Sequence, residues 1–316
     1  MELHKNTSAG MNTGILGRIP RTIIGNYQLY LLLLPALLYF IIFKYIPMYG
    51  VQIAFKNYMI LKGFTLSPWV GFIHFERFFN SFVFWKLIRN TMGLSIYQLL
   101  AGFPAPIIIA LFLNQFYSEK YKRFVQTVIY APHFISTVVL VGMINLFLSP
   151  SSGVINHLID FITGKNIFFM AKAEWFKTIY VFSGIWQNTG WGTIIYLAAL
   201  SGVSPELHES AIVDGANKWQ RVKYIDIPGI MPTAIILLIL ETGRIMTVGF
   251  EKAYLMQNAL NLDASEIIST YVYKSGLLGS QYSFATAVGL FDSVVNLILL
   301  IIVNKVSRKV SETSLW

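Results

Sequence analysis

Cysteine is absent from this chain, and acids are scarce: 15 Asp and Glu stand against 24 Lys and Arg in 316 residues. The first absence excludes a disulfide framework and thiolate metal sites, and the five histidines are scattered rather than spaced as ligands on a helix face. Charge of either sign is rare, at 12% of residues against about 25% in ordinary soluble proteins. With 55% of residues hydrophobic, the chain belongs in a membrane. No G-x-x-x-x-G-K-S/T phosphate loop occurs, since the pair Gly164-Lys165 is followed by Asn166. Neither a nucleophile elbow nor a paired-carboxylate motif is present, so no catalytic site, resident metal or cofactor is expected. The net charge of +9 would suit nucleic acid, but the cations sit in small groups beside apolar runs. Anionic lipid headgroups are the simpler partner.

Apolar stretches long enough to cross about 30 Å of hydrocarbon run near Leu29–Phe43, Met92–Leu113, Phe124–Leu148, Thr178–Leu200, Gly229–Phe250 and Phe284–Val303. The expected fold is therefore an all-α membrane protein with six transmembrane helices over residues 29–304, between tails at 1–28 and 305–316. The first stretch imitates a signal peptide, yet Lys44-Tyr45-Ile46-Pro47-Met48 follows it where small residues should mark a cleavage site, so an uncleaved span is expected. Pro104 and Pro106 predict bends in the second span and Pro132 in the third, because each removes a backbone hydrogen bond. Half of the 24 basic residues fall in the N-terminal tail with Lys5, Arg18 and Arg21, in Lys120, Lys122 and Arg123, in Lys218, Arg221 and Lys223, and in Lys305, Arg308 and Lys309. An even number of spans puts these four segments on one side, the cytoplasm by the positive-inside rule. The long connection from Met48 to Lys86 is rich in aromatic rings, Trp69, Phe72, Phe75, Phe78, Phe79, Phe82, Phe84 and Trp85 among them, and predicts an interfacial helix.

Residues 202–228 are the most specific part of the chain. Ser204 is suited to cap a helix whose first position is Pro205, where a missing N–H costs nothing. Glu206 and Glu209 in the first turns suit the helix dipole, and Gly215 is able to take the left-handed conformation that closes the other end. A helix of about nine residues is marginal alone, so a partner surface is expected, met by Leu207 and Ala211 on one face. The order is Glu209-Ser210-Ala211, two residues, Asp214-Gly215-Ala216, eight residues, then Ile225-x-Ile227-Pro228. This resembles the EAA signature of binding-protein-dependent ABC permeases, with Ser210 where Ala is usual and Ile227 in place of Leu. The resemblance makes the segment an ATPase-coupling loop carried by Glu209, Ser210, Ala211, Asp214, Gly215, Ala216, Ile225 and Pro228. With no nucleotide site of its own, the chain would borrow ATP and Mg chemistry from a separate ATPase.

Polar groups inside spans are costly in lipid and tend to face a bundle interior. The third span carries Tyr130, His133, Ser136, Gly142 and Asn145, and the fourth Trp186, Gln187, Asn188, Trp191 and Tyr196. Rings flanked by amides suit sugars, whose C–H faces stack while their hydroxyls need directed hydrogen bonds. Glu241 with Arg244, three apart, reads as a self-neutralising pair on one helix face, and Asp292 with Asn296, four apart, also shares a face. Arg244 and Lys44 would in addition suit acidic sugars. The run Ala131-Pro132-His133-Phe134-Ile135-Ser136, with Gly142 and Asn145 after it, resembles the substrate-lining helix of maltose-type permeases. That resemblance implies a path role for Asn145, Trp186 and Asn188; the reading of polar groups inside spans adds Tyr130, His133, Gln187, Trp191, Tyr196 and Arg244 as path candidates. The stretches Lys44-Tyr45-Ile46-Pro47-Met48-Tyr49-Gly50 and Gln52-Ile53-Ala54-Phe55-Lys56 look like the subgroup associated with complex plant or algal polysaccharide fragments, and Trp69-Val70-Gly71-Phe72 like the outer segment of the sugar permeases.

The family implies a type I importer fold in a bacterial inner membrane, with both termini cytoplasmic, paired with a second permease, an ATPase dimer, and an extracytoplasmic binding protein that delivers oligosaccharide. An ion-coupled secondary transporter, using Glu241 and Asp292 as ion carriers, and an ABC importer of a non-sugar solute are the alternatives.

Overall fold

The computed structural model describes residues 26–311 and Ser314; the N-terminal tail with Lys5, Arg18 and Arg21, and residues 312, 313, 315 and 316 of the C-terminal tail, lie outside the described residues. Two compact units are present, Met1–Gln52 and Ile53–Trp316. The first holds α1 (Tyr27–Phe40), a run of leucines and aromatics with Pro35 inside it. A π-helical turn, Ile41–Tyr45, carries Lys44 near its end.

The second unit is helical throughout, and among the described residues there is no strand, only an isolated bridge between Lys56 and Trp69. Its main elements are α2 (Ile73–Phe79), α3 (Phe84–Gly102), α4 (Pro104–Asn114), α5 (Glu119–Tyr130), α6 (Thr137–Phe147), α7 (Val154–Thr163), α8 (Ala173–Ser201), α9 (Pro205–Val213), α10 (Ile227–Thr242), α11 (Phe250–Met256), α12 (Ile268–Tyr273) and α13 (Tyr282–Ser311). Among the described residues, four helical stretches are long and apolar enough to cross a membrane: Tyr27–Phe55, Phe84–Asn114, Lys218–Thr242 and Tyr282–Lys309. A fifth is a broken pair, Glu119–Phe134 and Thr137–Phe147, bent by 96°.

The prolines act unequally. At Pro104 the helix is interrupted only at Phe103, and α3 with α4 still reads as one span. At Pro132 the expected bend is close to a right angle. There the chain tightens into a 3-10 turn, Ala131–Phe134, and Ile135 becomes extended. Ser136 then starts a new helix by accepting a hydrogen bond from the Val139 N–H at 3.3 Å, so the second helix has its own cap and its own direction. The stretch expected as the fourth span is helical, as α8, whose 29 residues would extend about 44 Å at 1.5 Å per residue, but its amides and threonines leave it outside the stretches apolar enough to cross a membrane. The expected fifth span ends early, at Thr242, with Gly243 beyond it.

Three apolar cores hold the unit together. Leu94, Leu140, Phe176, Val181 and Met256 join α3, α6, α8 and α11. Phe78, Leu87, Ile268, Phe284 and Val288 join α2, α3, α12 and α13. Ala110, Tyr196, Leu200 and Ile230 join α4, α8 and α10. The aromatic connection after α1 is thus only partly interfacial. Phe78 is 1% exposed, with its ring 5.6 Å from that of Phe291, whereas Trp69, Phe72, Phe82 and Trp85 are exposed. The α8 helix approaches α5 as closely as backbones allow: a Cβ on Gly190 would stand 2.0 Å from the Ile129 carbonyl oxygen. Only glycine fits there, in line with the small-residue contacts of membrane helix pairs.

Candidate transport path and coupling helix

The coupling segment forms as its local chemistry dictates. Ser204 Oγ accepts from the Glu206 N–H at 3.3 Å, Pro205 takes the first helical position, and α9 ends with Gly215 at φ +81°. The Gly215 N–H donates to the Ile212 carbonyl at 3.0 Å and the Ala216 N–H to that of Ala211 at 2.8 Å. This double closure requires a left-handed residue at position 215. Glu209, Ser210, Asp214 and Gly215 are exposed, Ala211, Ala216 and Ile225 half-buried, and Pro228 exposed at the start of α10. Leu207, Ile212, Val213 and, beyond the turn, Trp219 and Tyr224 are also exposed. A short helix carrying this much uncovered apolar surface is built to lie against something else.

Away from α9, the α3, α4, α8 and α10 helices enclose a cavity of about 500 Å³. Gln98 comes from α3, Asn188, Trp191 and Tyr196 from α8, and Glu241 and Arg244 from the end of α10 and the turn after it. Four of the expected path residues are thereby brought together: Asn188, Trp191, Tyr196 and Arg244. His133 joins indirectly, with Nδ1 3.1 Å from Asn188 Oδ1 and its ring stacked on Trp191 at 4.6 Å and 7°. Tyr196 is only 2% exposed and serves the α4–α8–α10 core as well. Gln187 turns elsewhere, donating to the Ile135 carbonyl at 2.7 Å, where it secures the broken turn of the α5–α6 pair. Tyr130, Asn145 and Trp186 do not line the cavity; the 96° break carries Asn145 away with α6.

The self-neutralising pair expected of Glu241 and Arg244 does not form. Because α10 ends at Thr242, Arg244 lies past the helix and the three-residue spacing no longer sets both on one face. Neither side chain has an ion pair or hydrogen bond within the described residues, and both face the cavity. The shared face of Asp292 and Asn296 is real, but Asn296 is spent on the turn after α10: it accepts from the Met246 N–H at 2.9 Å and donates to Thr247 Oγ1 at 3.1 Å. Gln98 was not singled out in the sequence, although a lone amide among the apolar residues of the second span carries the same signal as Asn188.

Residues 102–312 match the family described as binding-protein-dependent transport system inner membrane component. The chain belongs to this family. Among curated relatives of this inner membrane component, it is 48% identical over 288 residues to Protein LplB of Bacillus subtilis (strain 168), covering 91% of each chain. It is 42% identical over 294 residues to the polygalacturonan/rhamnogalacturonan transport system permease protein YteP of the same organism, covering 93% of this chain and 92% of that one. Among solved structures it resembles a chain of a bacterial ABC transporter involved in the import of the acidic polysaccharide alginate, with TM-score 0.86, 42% identity, and coverage of 93% of this chain and 99% of that one. A second match, with TM-score 0.87 and 42% identity, covers 94% of this chain and 100% of a chain in the alginate transporter in complex with an alginate pentasaccharide-bound periplasmic protein. As a permease of this family, the chain is a transport subunit.

Proposed function

We propose that this chain is the permease subunit of an ATP-driven importer of acidic oligosaccharides, delivered by an extracytoplasmic binding protein. The observation that carries this reading is the cavity, whose wall sets the Trp191 ring and the Gln98 and Asn188 amides beside an unpaired Arg244. Rings and amides suit a sugar face and its hydroxyls, and a guanidinium suits a uronate carboxylate. Two further cations occur near the helices that enclose the cavity, outside its wall. Lys177 on α8 reaches α3 so closely that a Cβ on Gly93 would stand 2.7 Å from its Nζ, and it feels the like charge of Arg89. Lys252 on α11 is buried, donating to the Tyr180 carbonyl at 2.7 Å, and burial pushes its ammonium down to about 8. None of these three cations has a carboxylate within ion-pair distance among the described residues. Neutral sugars would not call for this arrangement.

In this reading the bundle spans the membrane six times, with α8 as the span of lower apolarity and the α5–α6 pair as the bent one. The α9 helix and both termini face the cytoplasm of a bacterium, a related permease completes the path, and an ATPase dimer holding ATP and Mg docks on α9. Closure of that dimer would move the coupling helices and open the path outward. An ion-driven carrier is disfavoured by the same cavity, because Asp292, one of its two required acids, does not line it.

The test is uptake into proteoliposomes containing this permease with its companion subunits and binding protein. Strictly ATP-dependent accumulation of galacturonate- or mannuronate-type oligosaccharides is expected, with weaker transport after chemical reduction of their carboxylates. Transport indifferent to carboxylate reduction removes the acidic part of the reading. Accumulation driven by a proton or sodium gradient without ATP removes the whole of it.

A further inference from the structure

A buried carboxylate stands at the one unspecified position of the Ile225-x-Ile227-Pro228 run. Asp226 ends the π-helical turn Val222–Asp226 and is fully buried. Its Oδ2 accepts from Gln115 Nε2 at 3.0 Å and its Oδ1 from Asn114 Nδ2 at 3.2 Å. His208 Nε2 stands 3.3 Å from the same Oδ1. Arg221, a residue of the preceding turn, adds positive charge nearby. A buried carboxylate is costly unless several donors satisfy it, and here the donors come from different elements. Asn114 is the last residue of α4 and Gln115 the next, His208 is in the middle of α9, and Asp226 immediately precedes α10.

The wider π-helical turn matters to this placement. One extra residue per turn rotates the segment before it relative to α10, so that Asp226 points inward while Tyr224 stays outside. Two of the four helices that form the cavity are joined here: Pro106 of α4 and Leu237 and Glu241 of α10 lie in its wall. Without Asp226, the His208 contact that ties α9 to these walls is gone.

We infer that Asp226 is a positioning residue that joins the coupling helix to α4 and α10, so that displacement of α9 moves two walls of the transport path. This rests on the reading that α9 docks on an ATPase. A merely structural carboxylate would set only how much permease assembles. A coupling carboxylate also sets how much sugar moves for each ATP hydrolysed.

The experiment uses the assembled transporter in proteoliposomes, with sugar accumulated and ATP hydrolysed measured per assembled complex for the wild type, Asp226→Asn, Asp226→Glu and His208→Leu. Loss of a charge-assisted hydrogen-bond centre is expected to lower the transport-to-hydrolysis ratio of Asp226→Asn by about ten-fold. Asp226→Glu should recover part of that ratio by keeping the charge, and His208→Leu, which deletes one donor, should show a smaller loss. In the double variant Asp226→Asn/His208→Leu the ratio should fall no further than in Asp226→Asn, because both act through one centre. An unchanged ratio in Asp226→Asn overturns the inference. If Asp226→Asn fails to assemble, an unchanged ratio in His208→Leu overturns it and a lowered one supports it. A wild-type complex that transports without ATP hydrolysis overturns the docking reading itself, and this inference with it, whereas an ATP-driven wild type with equally coupled variants overturns this inference alone.

Discussion

The two ends of α10 treat charge in opposite ways. At its start, Asp226 is out of reach of solvent and surrounded by donors from Asn114, Gln115 and His208. At its far end, the side chains of Glu241 and Arg244 are exposed to a cavity and have no hydrogen-bond or ion-pair partner among the described residues. A charge inside a membrane protein is expensive, by about 2.5–3.5 kcal/mol at mid-bilayer on insertion scales, so each must be accounted for. The first is accounted for by the protein's own hydrogen bonds, in keeping with the positioning role inferred for it. The second is left for water or a ligand, in keeping with the proposed path.

The contrast is open to attack from both ends. The largest effect is expected from Gly215→Pro at the coupling end. Proline fixes φ near −65° and removes an N–H, whereas this position needs φ +81° and donates to Ile212. A cost of about 3 kcal/mol corresponds to roughly 100-fold less ATP-dependent uptake, with the protein still recovered from the membrane in wild-type amounts. Next comes Arg244→Ala at the cavity end. Losing a charge-assisted contact of about 1.5–3 kcal/mol should cut kcat/KM for a uronate oligosaccharide by about 10- to 100-fold while barely changing that for its carboxylate-reduced form; equal losses for both sugars would show that Arg244 does not read charge. Trp191→Ala removes a stacking face worth about 0.5–1.5 kcal/mol and is expected to raise KM by a few-fold for both sugars alike, a pattern that competition uptake measurements separate from the Arg244 result. The smallest effect belongs to Ser204→Ala, where a lost helix cap costs about 1 kcal/mol and should lower coupled uptake less than five-fold without changing sugar preference.

What the sequence disclosed depended on how far apart the interacting residues are. The α9 helix was legible down to its cap and its closing glycine, because Ser204, Pro205 and Gly215 act on neighbours within a few positions. Asp226 was not, since its partners Gln115 and Asn114 are 111 and 112 residues away and only folding brings them near. The polar residues of α8 were read as facing inward, and Asn188, Trp191 and Tyr196 do, but periodicity did not show that Gln187 would be diverted to the Ile135 carbonyl. The Glu241–Arg244 pairing failed for a local reason: the apolar pattern runs past Thr242, so the helix was extended by about two turns that it does not have. Pro132 signalled a bend without its size, which came from the second cap at Ser136.

The contact at Gly190 bears on what that position is able to hold. With α8 lying backbone to backbone against Ile129 at this point, no side chain stands between the two helices there to act as a cushion. Any larger residue at position 190 would therefore have to push α8 away from α5.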